Sequence, residues 1–242
     1  MQFEEFCGIF HTIMTQNGFS EYADALHAKR FYDLTVRMLE TNEKMNLTAI
    51  KEESAIILLH YADSLTAARF LPQNARIADI GCGAGFPCLP LAICRPDLKI
   101  LALDSTEKRI RYVAESAAAL DCGNLTAVAM RAEEGGQGPY REQFDVCTAR
   151  AVAALPLLAE LCLPYVRIGG SFLAMKGRRG EEELSQAQNA IKRLGGECHA
   201  LHRIALQGGT EEETRYLIEI RKVRATPAEF PRPWAKILKK PL

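Results

Sequence analysis

The sequence predicts an α/β fold with a mostly parallel sheet that ends in an antiparallel hairpin and is preceded by a helical segment. From residue 76 onward, short apolar runs alternate with stretches of helical periodicity, the pattern of strand–helix units in a parallel sheet. Two later runs, 197–206 and 214–223, alternate in polarity and are joined by Gln207–Thr210, which indicates a hairpin. Before residue 41, apolar residues recur at helical spacing, over 3–17 and in the segment that follows.

The N-terminal segment is predicted as a series of helices, over 3–17, from Ser20 to about Glu40, and over 56–60. Ser20 is placed to cap the second of these helices. The polar stretch 41–48 is predicted as a connection in which Asn46 and Thr48 cap the third helix.

A polar triplet, His60, Asp63 and Ser64, follows at spacings of three and four residues, so its side chains share a helix face. A nucleophile elbow, which presents the serine in many hydrolases, does not accompany Ser64. The triplet therefore predicts a hydrogen-bonded structural cluster and not a hydrolase site.

The alternating part of the chain gives each strand and helix a range. Strands are predicted at 76–80, 99–104, 125–130, 144–149 and 171–175, and helices at 87–94, 106–120, 155–163 and 181–194. Gly123 is expected to end the second of these helices, because glycine readily takes the left-handed conformation of a helix C-terminus. Residues 131–139 are predicted as a loop.

A glycine-rich turn follows the first strand. Gly81, Gly83 and Gly85 allow a sharp turn and the close approach of a ligand to the backbone. Phe86 stands where the dinucleotide fingerprint requires a third glycine, and Pro87, predicted in the first helical turn, lacks an amide that would receive a pyrophosphate. These two residues argue against NAD, FAD and a nicotinamide dehydrogenase.

Asp104 ends the next strand, where a carboxylate can accept hydrogen bonds from both hydroxyls of a ribose. Together with the glycine-rich turn, it favours a ligand that has an adenosine group but no phosphate, such as S-adenosylmethionine. The alternative is a tight connection with a capping aspartate. Ligands of doubly wound sheets bind beyond the carboxyl ends of the strands. The residues there are Gly81 to Phe86, Asp104, Ser105, Thr106, Ala132, Glu133, Arg150 and Lys176.

Four residues at these strand ends can be weighed individually. Ala132 and Glu133 suit the edge of an adenine, although Glu133 is also compatible with a solvated side chain. Arg150 directly follows an apolar strand and has no obvious structural purpose there, which favours a functional one. Lys176 is compatible with a functional role and with a solvated side chain.

The composition of the 242 residues limits the possible partners. Lys and Arg together number 30, as do Asp and Glu, so positive charge for a nucleic acid would have to be concentrated in local patches. Eight cysteines form no C-x-x-C pair and no metal-ligand spacing, which predicts reduced thiols, no metal and a cytoplasmic location. The N-terminus lacks a signal-peptide pattern, and the most apolar window, 151–166, is too short for a bilayer, so we expect a soluble protein.

Several longer motifs carry a family resemblance: Asn42-Glu-Lys-Met-Asn-Leu-Thr-Ala-Ile50, His60-Tyr-Ala-Asp-Ser-Leu65, the loop of residues 79–93, Leu103-Asp-Ser-Thr-Glu-Lys-Arg109, Arg131-Ala-Glu-Glu134, Ala149-Arg-Ala-Val-Ala-Ala-Leu155 and Ala174-Met-Lys-Gly177. With these motifs the chain resembles the bacterial small-subunit ribosomal RNA guanine-N7 methyltransferases, also called glucose-inhibited division protein B. The resemblance covers most of residues 40–220. Cys82 and Cys88 depart from the family pattern, which has a small Thr or Ser and a glycine there, but neither adds bulk that should close the pocket.

The resemblance implies a Rossmann-like S-adenosylmethionine-dependent methyltransferase domain over 71–224, with an N-terminal helical cap over 1–70 and a basic C-terminal tail over 225–242. It implies S-adenosyl-L-methionine as the cofactor. The implied target is a guanine of small-subunit (16S) ribosomal RNA, as RNA or in the small ribosomal subunit, with no membrane or DNA partner. The cofactor contacts of the family correspond to Gly81, Phe86, Asp104, Ser105, Thr106, Ala132, Glu133 and Arg150.

Guanine N7 has a lone pair and no proton, so methylation there needs no general base, and no catalytic acid or base is predicted. Arg150 is the nearest candidate, as a group that holds the cofactor or the target base. The candidates for RNA binding are Arg150, Lys176, Arg178, Arg179, Arg221, Arg224, Arg232 and Lys236. Each of these residues is also compatible with a solvated surface. The tail, with its prolines and single Trp, is the best candidate segment for RNA binding. Two other functions stay open: methyl transfer to a small molecule or protein, and a noncatalytic RNA-binding assembly factor.

Overall fold

The predicted alternation of strands and helices is confirmed in the computed structural model, which describes residues 2–209 and 213–242. The strands are β1 (Arg76–Ile80), β2 (Lys99–Asp104), β3 (Leu125–Ala129), β4 (Phe144–Arg150), β5 (Val166–Lys176), β6 (Gly196–Leu206) and β7 (Glu213–Lys222). Within the described residues they form one sheet in the order β3-β2-β1-β4-β5-β7-β6. β1 to β5 are parallel, and β7 and β6 extend the sheet as the predicted antiparallel pair. Thr210, the last residue of the predicted hairpin turn, lies outside the described residues.

β1 lies between β2 and β4. Ile77 pairs with Ile100 on one side and with Val146 on the other. From β1 the chain continues outward to β2 and β3, and it then returns to add β4 and β5 on the opposite side. This reversal leaves a crevice beyond the carboxyl ends of β1 and β4, the place where ligands bind in such sheets.

The helices are α1 (Phe3–Gln16), α2 (Ala25–Met45), α3 (Glu53–Ile56), α4 (Asp63–Leu65), α5 (Cys88–Cys94), α6 (Glu107–Ala119), α7 (Ala132–Gln137), α8 (Leu155–Cys162), α9 (Gly180–Arg193) and α10 (Trp234–Lys239). Short 3-10 turns lie at Ser20–Tyr22 and Leu163–Tyr165. Within residues 2–209 and 213–242, none of the helices is both long and apolar enough to span a membrane.

Two apolar layers cover the two faces of the sheet. Along β1, Ile77 belongs to the layer that contains α1, α2, α5 and α6, whereas Ala78 and Ile80 belong to the layer that contains α8, α9 and α10. Successive side chains of a strand point to opposite faces, so both faces of β1 are buried and the strand is an apolar run. Asp79 is the one charged residue in the buried part of this strand, Ile77 to Ile80, and is almost fully buried.

The helices that precede the sheet are fixed to one of its faces. Arg30 of α2 donates hydrogen bonds from Nη1 to the Ile93 carbonyl at 3.0 Å and from Nη2 to the Leu120 carbonyl at 2.5 Å. Both carbonyls lie at or just beyond the C-terminal ends of helices, α5 and α6, where backbone acceptors lack partners and a cation is favourable. α2 is therefore held by the helices that flank β2.

The predicted bounds of the second helix are wrong. Asp24, not Ser20, caps α2, because its carboxylate accepts hydrogen bonds from two backbone N–H groups of the first turn at 2.8 and 3.0 Å. α2 also continues through Met45, into the stretch predicted as a connection. It ends at Asn46, which adopts a left-handed conformation with φ of 50°, one that asparagine tolerates.

The third helix also differs from its prediction. Glu52 caps it in place of Asn46 and Thr48, since the Glu52 carboxylate accepts from the N–H groups of Ser54 and Ala55 at 3.1 and 2.7 Å. The helix predicted over 56–60 is part of a continuous helical run: α3, a π-helical segment (Ile57–Ala62), α4 and a 3-10 segment (Thr66–Phe70). π-Helical segments are often found at functional sites.

Three smaller predictions were wrong as well. Asp121, and not Gly123, takes the left-handed conformation after α6, with φ of 52°. Pro87 immediately precedes α5 and is not its first residue. Residues 132–137 form α7 instead of a loop, because two glycines in it allow close packing. A Cβ atom at Gly136 would lie 3.2 Å from the ring of Tyr165.

Candidate functional site

The glycine-rich turn between β1 and α5 has the conformation that its sequence requires. Gly81 and Gly85 have φ of +70° and +90°, in the left-handed region that favours glycine. A Cβ atom at Gly81 would lie 2.6 Å from Cγ2 of Val152, and one at Gly85 would collide with the side chain of Leu89. The turn is tied to the end of β2, since the N–H groups of Gly81 and Cys82 both donate to the Leu103 carbonyl.

Asp104, at the end of β2, is buried and holds the turn from the other side. Its Oδ2 accepts a hydrogen bond from the N–H of Gly83 at 3.1 Å, and its Oδ1 accepts one from the N–H of Thr106 at 2.8 Å. Arg109 lies 3.8 Å from the same carboxylate. Because each carboxylate oxygen has two lone pairs, Asp104 can still accept further hydrogen bonds from a ligand.

The N-terminus of α5 is not arranged to bind a phosphate. Pro87 has no N–H, the N–H of Cys88 donates to Oδ2 of Asp79 at 3.1 Å, and that of Leu89 donates to the Gly85 carbonyl at 2.8 Å. These are the amides that a dinucleotide pyrophosphate would use. The geometry therefore supports the argument from sequence against NAD and FAD.

Asp79 is a site residue that the sequence reasoning missed. Its carboxylate lies beneath the glycine-rich turn and also accepts a hydrogen bond from Oγ1 of Thr148 at 3.1 Å. Burial raises the pKa of Asp79 from 3.8 to about 6, although the hydrogen bonds oppose this effect. The available signal was a carboxylate between Ala78 and Ile80, in the apolar part of the strand.

A cavity of about 460 Å³ opens beside the turn. Among the residues predicted to bind a cofactor, it is lined by Gly81, Gly83, Phe86, Asp104, Ser105, Ala132, Glu133 and Arg150. Gly85 and Thr106 are not part of its lining and instead support the turn and Asp104. The lining residues that were not singled out as cofactor contacts from the sequence include Leu47, His60 and Trp234. They come from segments distant in the chain, which local patterns do not bring together.

Arg150, at the end of β4, connects the sheet to the helical run before it. Its Nη1 donates hydrogen bonds to the Leu59 carbonyl and to Oδ2 of Asp63, both at 2.9 Å. Its guanidinium carbon lies 5.3 Å from the centre of the Phe86 ring, within the range of a cation–π contact. Arg215 of β7 approaches the other oxygen of Asp63 at 3.4 Å. The predicted polar triplet therefore contributes an anchor for Arg150.

His60 is the second member of this cluster. Its ring stacks on Phe86, with centroids 4.5 Å apart and an interplanar angle of 5°. Nε2 lies 2.9 Å from the hydroxyl of Thr48, and the His60 carbonyl accepts a hydrogen bond from Ser64. Burial and, to a smaller extent, the charge of Arg150 lower the pKa of His60 from 6.5 to about 3. His60 is therefore neutral at physiological pH.

A second cavity, of about 650 Å³, lies on the other side of Arg150. Both cavities are lined by His60, Arg150, Ala151 and Val152. Polar side chains of the second cavity include Asp63, Lys176, Arg179, Glu183 and Arg215. Ala151, which separates the two cavities, has a φ of 55°, a strained conformation of the kind that clusters at functional sites. Two adjoining cavities with a shared wall can hold two reactants next to each other.

Apart from Arg150, the side chains predicted to bind RNA fall into two groups. Lys176 is buried, and its Nζ contacts the Ala153 carbonyl at 2.6 Å and Glu183 at 2.8 Å. Arg232 forms a two-point ion pair with the buried Glu160, at 2.8 and 2.6 Å. The exposed candidates are Arg178, Arg179, Arg221, Arg224 and Lys236.

The eight cysteines are free thiols, six of them buried. Across residues 2–209 and 213–242, no group of three or more His, Cys, Asp or Glu side chains is arranged to hold a metal ion.

Comparison with known proteins identifies the family. Residues 27–210 match the family described as GidB, rRNA small subunit methyltransferase G. The chain belongs to this family. It is 44% identical over 227 residues to the ribosomal RNA small subunit methyltransferase G of Geobacillus sp. (strain WCH70), covering 92% of this chain and 93% of that one. It is 40% identical over 228 residues to the protein of the same name from Acetivibrio thermocellus, covering 93% of each chain. Membership of this family makes the chain a methyltransferase, with S-adenosylmethionine as its cofactor.

Solved structures share the fold of this family member at low sequence identity. A SAM-dependent methyltransferase from Aquifex aeolicus superposes with a TM-score of 0.52 at 14% identity, covering 69% of this chain and 93% of that chain. TYW2 from M. jannaschii, in complex with AdoMet, gives a TM-score of 0.53 at 10% identity, covering 66% and 77%. The Rossmann-like methyltransferase fold is thus confirmed.

The first cavity fits this cofactor on the evidence of its own residues. A Cβ atom at Gly83 would meet nothing closer than the Gly81 carbonyl oxygen at 3.9 Å, so the turn presents bare backbone and open space there. Asp104 offers an acceptor for ribose hydroxyls. The N–H groups of Cys88 and Leu89, which a phosphate would need, already donate to Asp79 and to the Gly85 carbonyl. S-adenosylmethionine has no phosphate and does not need them.

Proposed function

We propose that this chain transfers a methyl group from S-adenosylmethionine to N7 of a guanine in small-subunit ribosomal RNA. The observation that carries the proposal is the pair of cavities that meet at Arg150. The family description and the names of the relatives supply the class of acceptor. The assignment of guanine N7 as the acceptor atom rests on the family resemblance and on the chemistry of the site.

The first cavity would hold the cofactor. Asp104 would accept hydrogen bonds from the ribose, and Ala132 with Glu133 would border the adenine. The turn from Gly81 to Phe86, together with Ser105 and Arg150, would surround the rest of the cofactor. Gly85 and Thr106 would not contact the cofactor but would support the turn and Asp104. S-adenosylmethionine supplies an electrophilic methyl group on a sulfonium.

The second cavity would hold the target guanine. The major groove of paired RNA is too deep and narrow for side chains to reach N7, so the base must be unstacked or lie in a distorted loop. Arg150, Lys176 and Arg215 supply donors along the cavity, and arginine and lysine are the side chains that pair with the O6 edge of guanine. The shared wall would then place N7 next to the methyl group.

Positioning would supply most of the catalysis. The N7 lone pair needs no deprotonation, and His60 is held neutral among Phe86, Thr48 and Arg150. Holding two reactants in line contributes about 7–11 kcal/mol to lowering a barrier. Arg150 would act by orientation, fixed by Asp63 and the Leu59 carbonyl.

Ribosomal RNA, alone or in the small subunit, would be bound along exposed basic side chains. Arg179 lies at the second cavity. The other exposed candidates are Arg178, Arg221, Arg224 and Lys236.

In this proposal residues 71–224 form the methyltransferase domain, 1–70 the cap that supplies His60 and Asp63, and 225–242 the tail. Lys176 would contribute at the second cavity, and Arg232 would contribute through its ion pair with the buried Glu160.

The test uses methyl-labelled S-adenosylmethionine and small ribosomal subunits from a strain that lacks this activity. After reaction, the RNA is digested and the labelled nucleoside identified. We expect 7-methylguanosine, and no label when subunits from a strain with the activity are used. A different methylated nucleoside would contradict N7 as the acceptor. Label on a small molecule or protein, or cofactor binding with no transfer to RNA, would support the two alternative functions.

A further inference from the structure

The C-terminal segment, residues 225–242, is anchored to the protein next to the cofactor cavity. The backbone N–H and Nε of Arg232 both donate to Oε1 of Glu160, at 2.9 and 2.8 Å, and Nη2 donates to Oε2 at 2.6 Å. Glu160 is fully buried in α8. A buried carboxylate without this arginine would be an unpaired charge, which is strongly destabilising. The segment is therefore part of the folded structure.

Two further side chains hold the same segment by its backbone. Nε2 of Gln137 donates to the carbonyls of Ala228 and Pro231 at 3.2 and 3.0 Å. Arg141 donates to the carbonyl of Phe230 at 2.7 Å, and the Phe230 ring is buried. Gln137 is the last residue of α7, the helix whose first residue, Ala132, lines the cofactor cavity. One short helix thus contacts both the cavity and the segment.

This anchoring places Trp234 at the cavity wall. Trp234 begins α10, two residues after Arg232, and lines the cavity together with Met130, Ala132 and Leu161. It is partly buried against the apolar layer of α8 and α9. Met130 and Ala132 directly follow β3, on the side where Ala132 and Glu133 would border the adenine, and Leu161 belongs to α8.

We propose that Trp234 is a cofactor-binding residue that packs against the adenosine part of S-adenosylmethionine. This rests on the proposed placement of the cofactor and assigns the aromatic residue of the tail to the cofactor instead of to RNA. A planar base gains affinity from an aromatic surface, and one such contact changes binding by about fivefold or more. Arg232 and Glu160 serve this contact by fixing the backbone that carries Trp234.

The test needs no RNA, so it is independent of the acceptor. Trp234 is the single tryptophan of the chain, so its fluorescence reports this wall alone. The full-length protein is titrated with S-adenosylhomocysteine while tryptophan emission and calorimetric heat are followed. We expect a saturable change in emission with the same Kd as the calorimetric titration. Calorimetric binding with unchanged emission would overturn the proposal.

Variants test the energetic contribution. Trp234→Ala is expected to weaken calorimetric binding by at least about fivefold, and Trp234→Phe, which keeps an aromatic ring, by less. Leu238→Ala is the matched control, since Leu238 is in the same helix and 59% exposed, and it should bind as the wild type does. Thermal melting checks that each variant is folded. Wild-type affinity in a folded Trp234→Ala variant would overturn the proposal, as would an equal loss in Leu238→Ala.

Discussion

At the scale of single residues, Arg150 lines both cavities and joins three parts of the site. It ends β4, donates to Leu59 and Asp63 of the helical run, and lies against Phe86 of the turn. A planar guanidinium can meet all three contacts at once, whereas an ammonium cannot. The sequence indicated a functional arginine from its place after an apolar strand, but its partner Asp63 lies 87 residues earlier and was visible only in the fold.

Replacement of Arg150 should therefore separate chemistry from cofactor binding. Arg150→Ala is expected to reduce single-turnover methyl transfer at least about 100-fold, because the reactants lose their common wall. Calorimetry should show a smaller loss of cofactor affinity. Arg150→Lys should recover only part of the rate.

Arg167→Ala is the control for Arg150, since Arg167 is 52% exposed and pairs with Asp145. It should transfer methyl groups at the wild-type rate. A folded Arg150→Ala variant with undiminished transfer would contradict the assigned role. Melting temperatures show whether a loss of transfer in Arg150→Ala comes from unfolding. This check is needed because, without Arg150, the buried Asp63 keeps only Arg215 as an ion-pair partner.

Asp79 leads to a prediction about pH and stability. Its folded pKa of about 6 lies above 3.8, so the native state binds more protons than the unfolded state between about pH 4 and 6. Stability from this group is therefore lost as pH rises through that window, by up to about 3 kcal/mol at neutral pH. Asp79→Asn, which keeps an acceptor for Cys88 and cannot ionise, should gain stability relative to wild type as pH rises.

Urea unfolding of wild type and Asp79→Asn at both ends of this pH window measures the difference. His60 acts in the opposite sense, because its lowered pKa makes the native state bind fewer protons between about pH 3 and 6.5. It is present in both proteins, so its effect cancels. A stability difference that does not vary with pH would contradict a raised pKa for Asp79.

At the scale of elements, sequence patterns predicted most strand bounds well and the helix ends poorly. β5 is an exception, since it begins at Val166 and not at residue 171. β1 and β2 have the predicted bounds because an apolar run buried on both faces has clear ends. The start of a helix depends on which polar side chain reaches a free backbone amide. Asp24 and Glu52 do so in the structure, whereas the sequence predicted Ser20 and, for the third helix, Asn46 and Thr48. α7 was missed because its glycines pack closely on Tyr165, a tertiary contact with no local signal.

The glycine-rich turn gives the prediction at this scale. Gly85→Ala should lower the free energy of unfolding by about 1–3 kcal/mol, because a Cβ there meets Leu89 and φ is +90°. It should also weaken cofactor binding, because the turn from Gly81 to Phe86 must shift. Denaturant unfolding and calorimetry measure the two effects.

Gly8→Ala is the matched control for this substitution. Gly8 lies exposed within α1, and a Cβ atom there would meet nothing within 4 Å. The same change should therefore stabilise the protein by about 0.5–1 kcal/mol through helix propensity. A Gly85→Ala variant as stable as wild type would show that the turn does not require glycine at that position.

At the scale of the whole molecule, the absence of net charge leaves RNA binding to local side chains. The first cavity could be predicted from the sequence, because strand ends of a parallel sheet meet at one edge. Its remaining walls could not, since Leu47, His60 and Trp234 come from opposite ends of the chain. Likewise, only the fold shows that Arg232 pairs with buried Glu160, whereas Lys236 is exposed.

Lys236 therefore offers a selective test of RNA contact in the tail. Lys236→Ala should leave melting unchanged and reduce the slope of log affinity against log salt by about one, as loss of one phosphate contact does. Lys29→Ala is the control, since Lys29 is 55% exposed on α2 and pairs with Asp33. An equal change in both variants, or none in Lys236→Ala, would contradict a phosphate contact in the tail.

Methyl transfer to guanine N7 by positioning alone is tested most directly by the pH dependence of the chemical step. The measurement is the single-turnover rate of label transfer to unmodified small subunits at saturating cofactor, between about pH 7 and 8.5, above the pKa values of Asp79 and His60. With no proton to remove from N7, the rate should be constant across this range, and the product should be 7-methylguanosine. A rate that rises tenfold per pH unit would contradict positioning alone, because it would require a group that must first lose a proton.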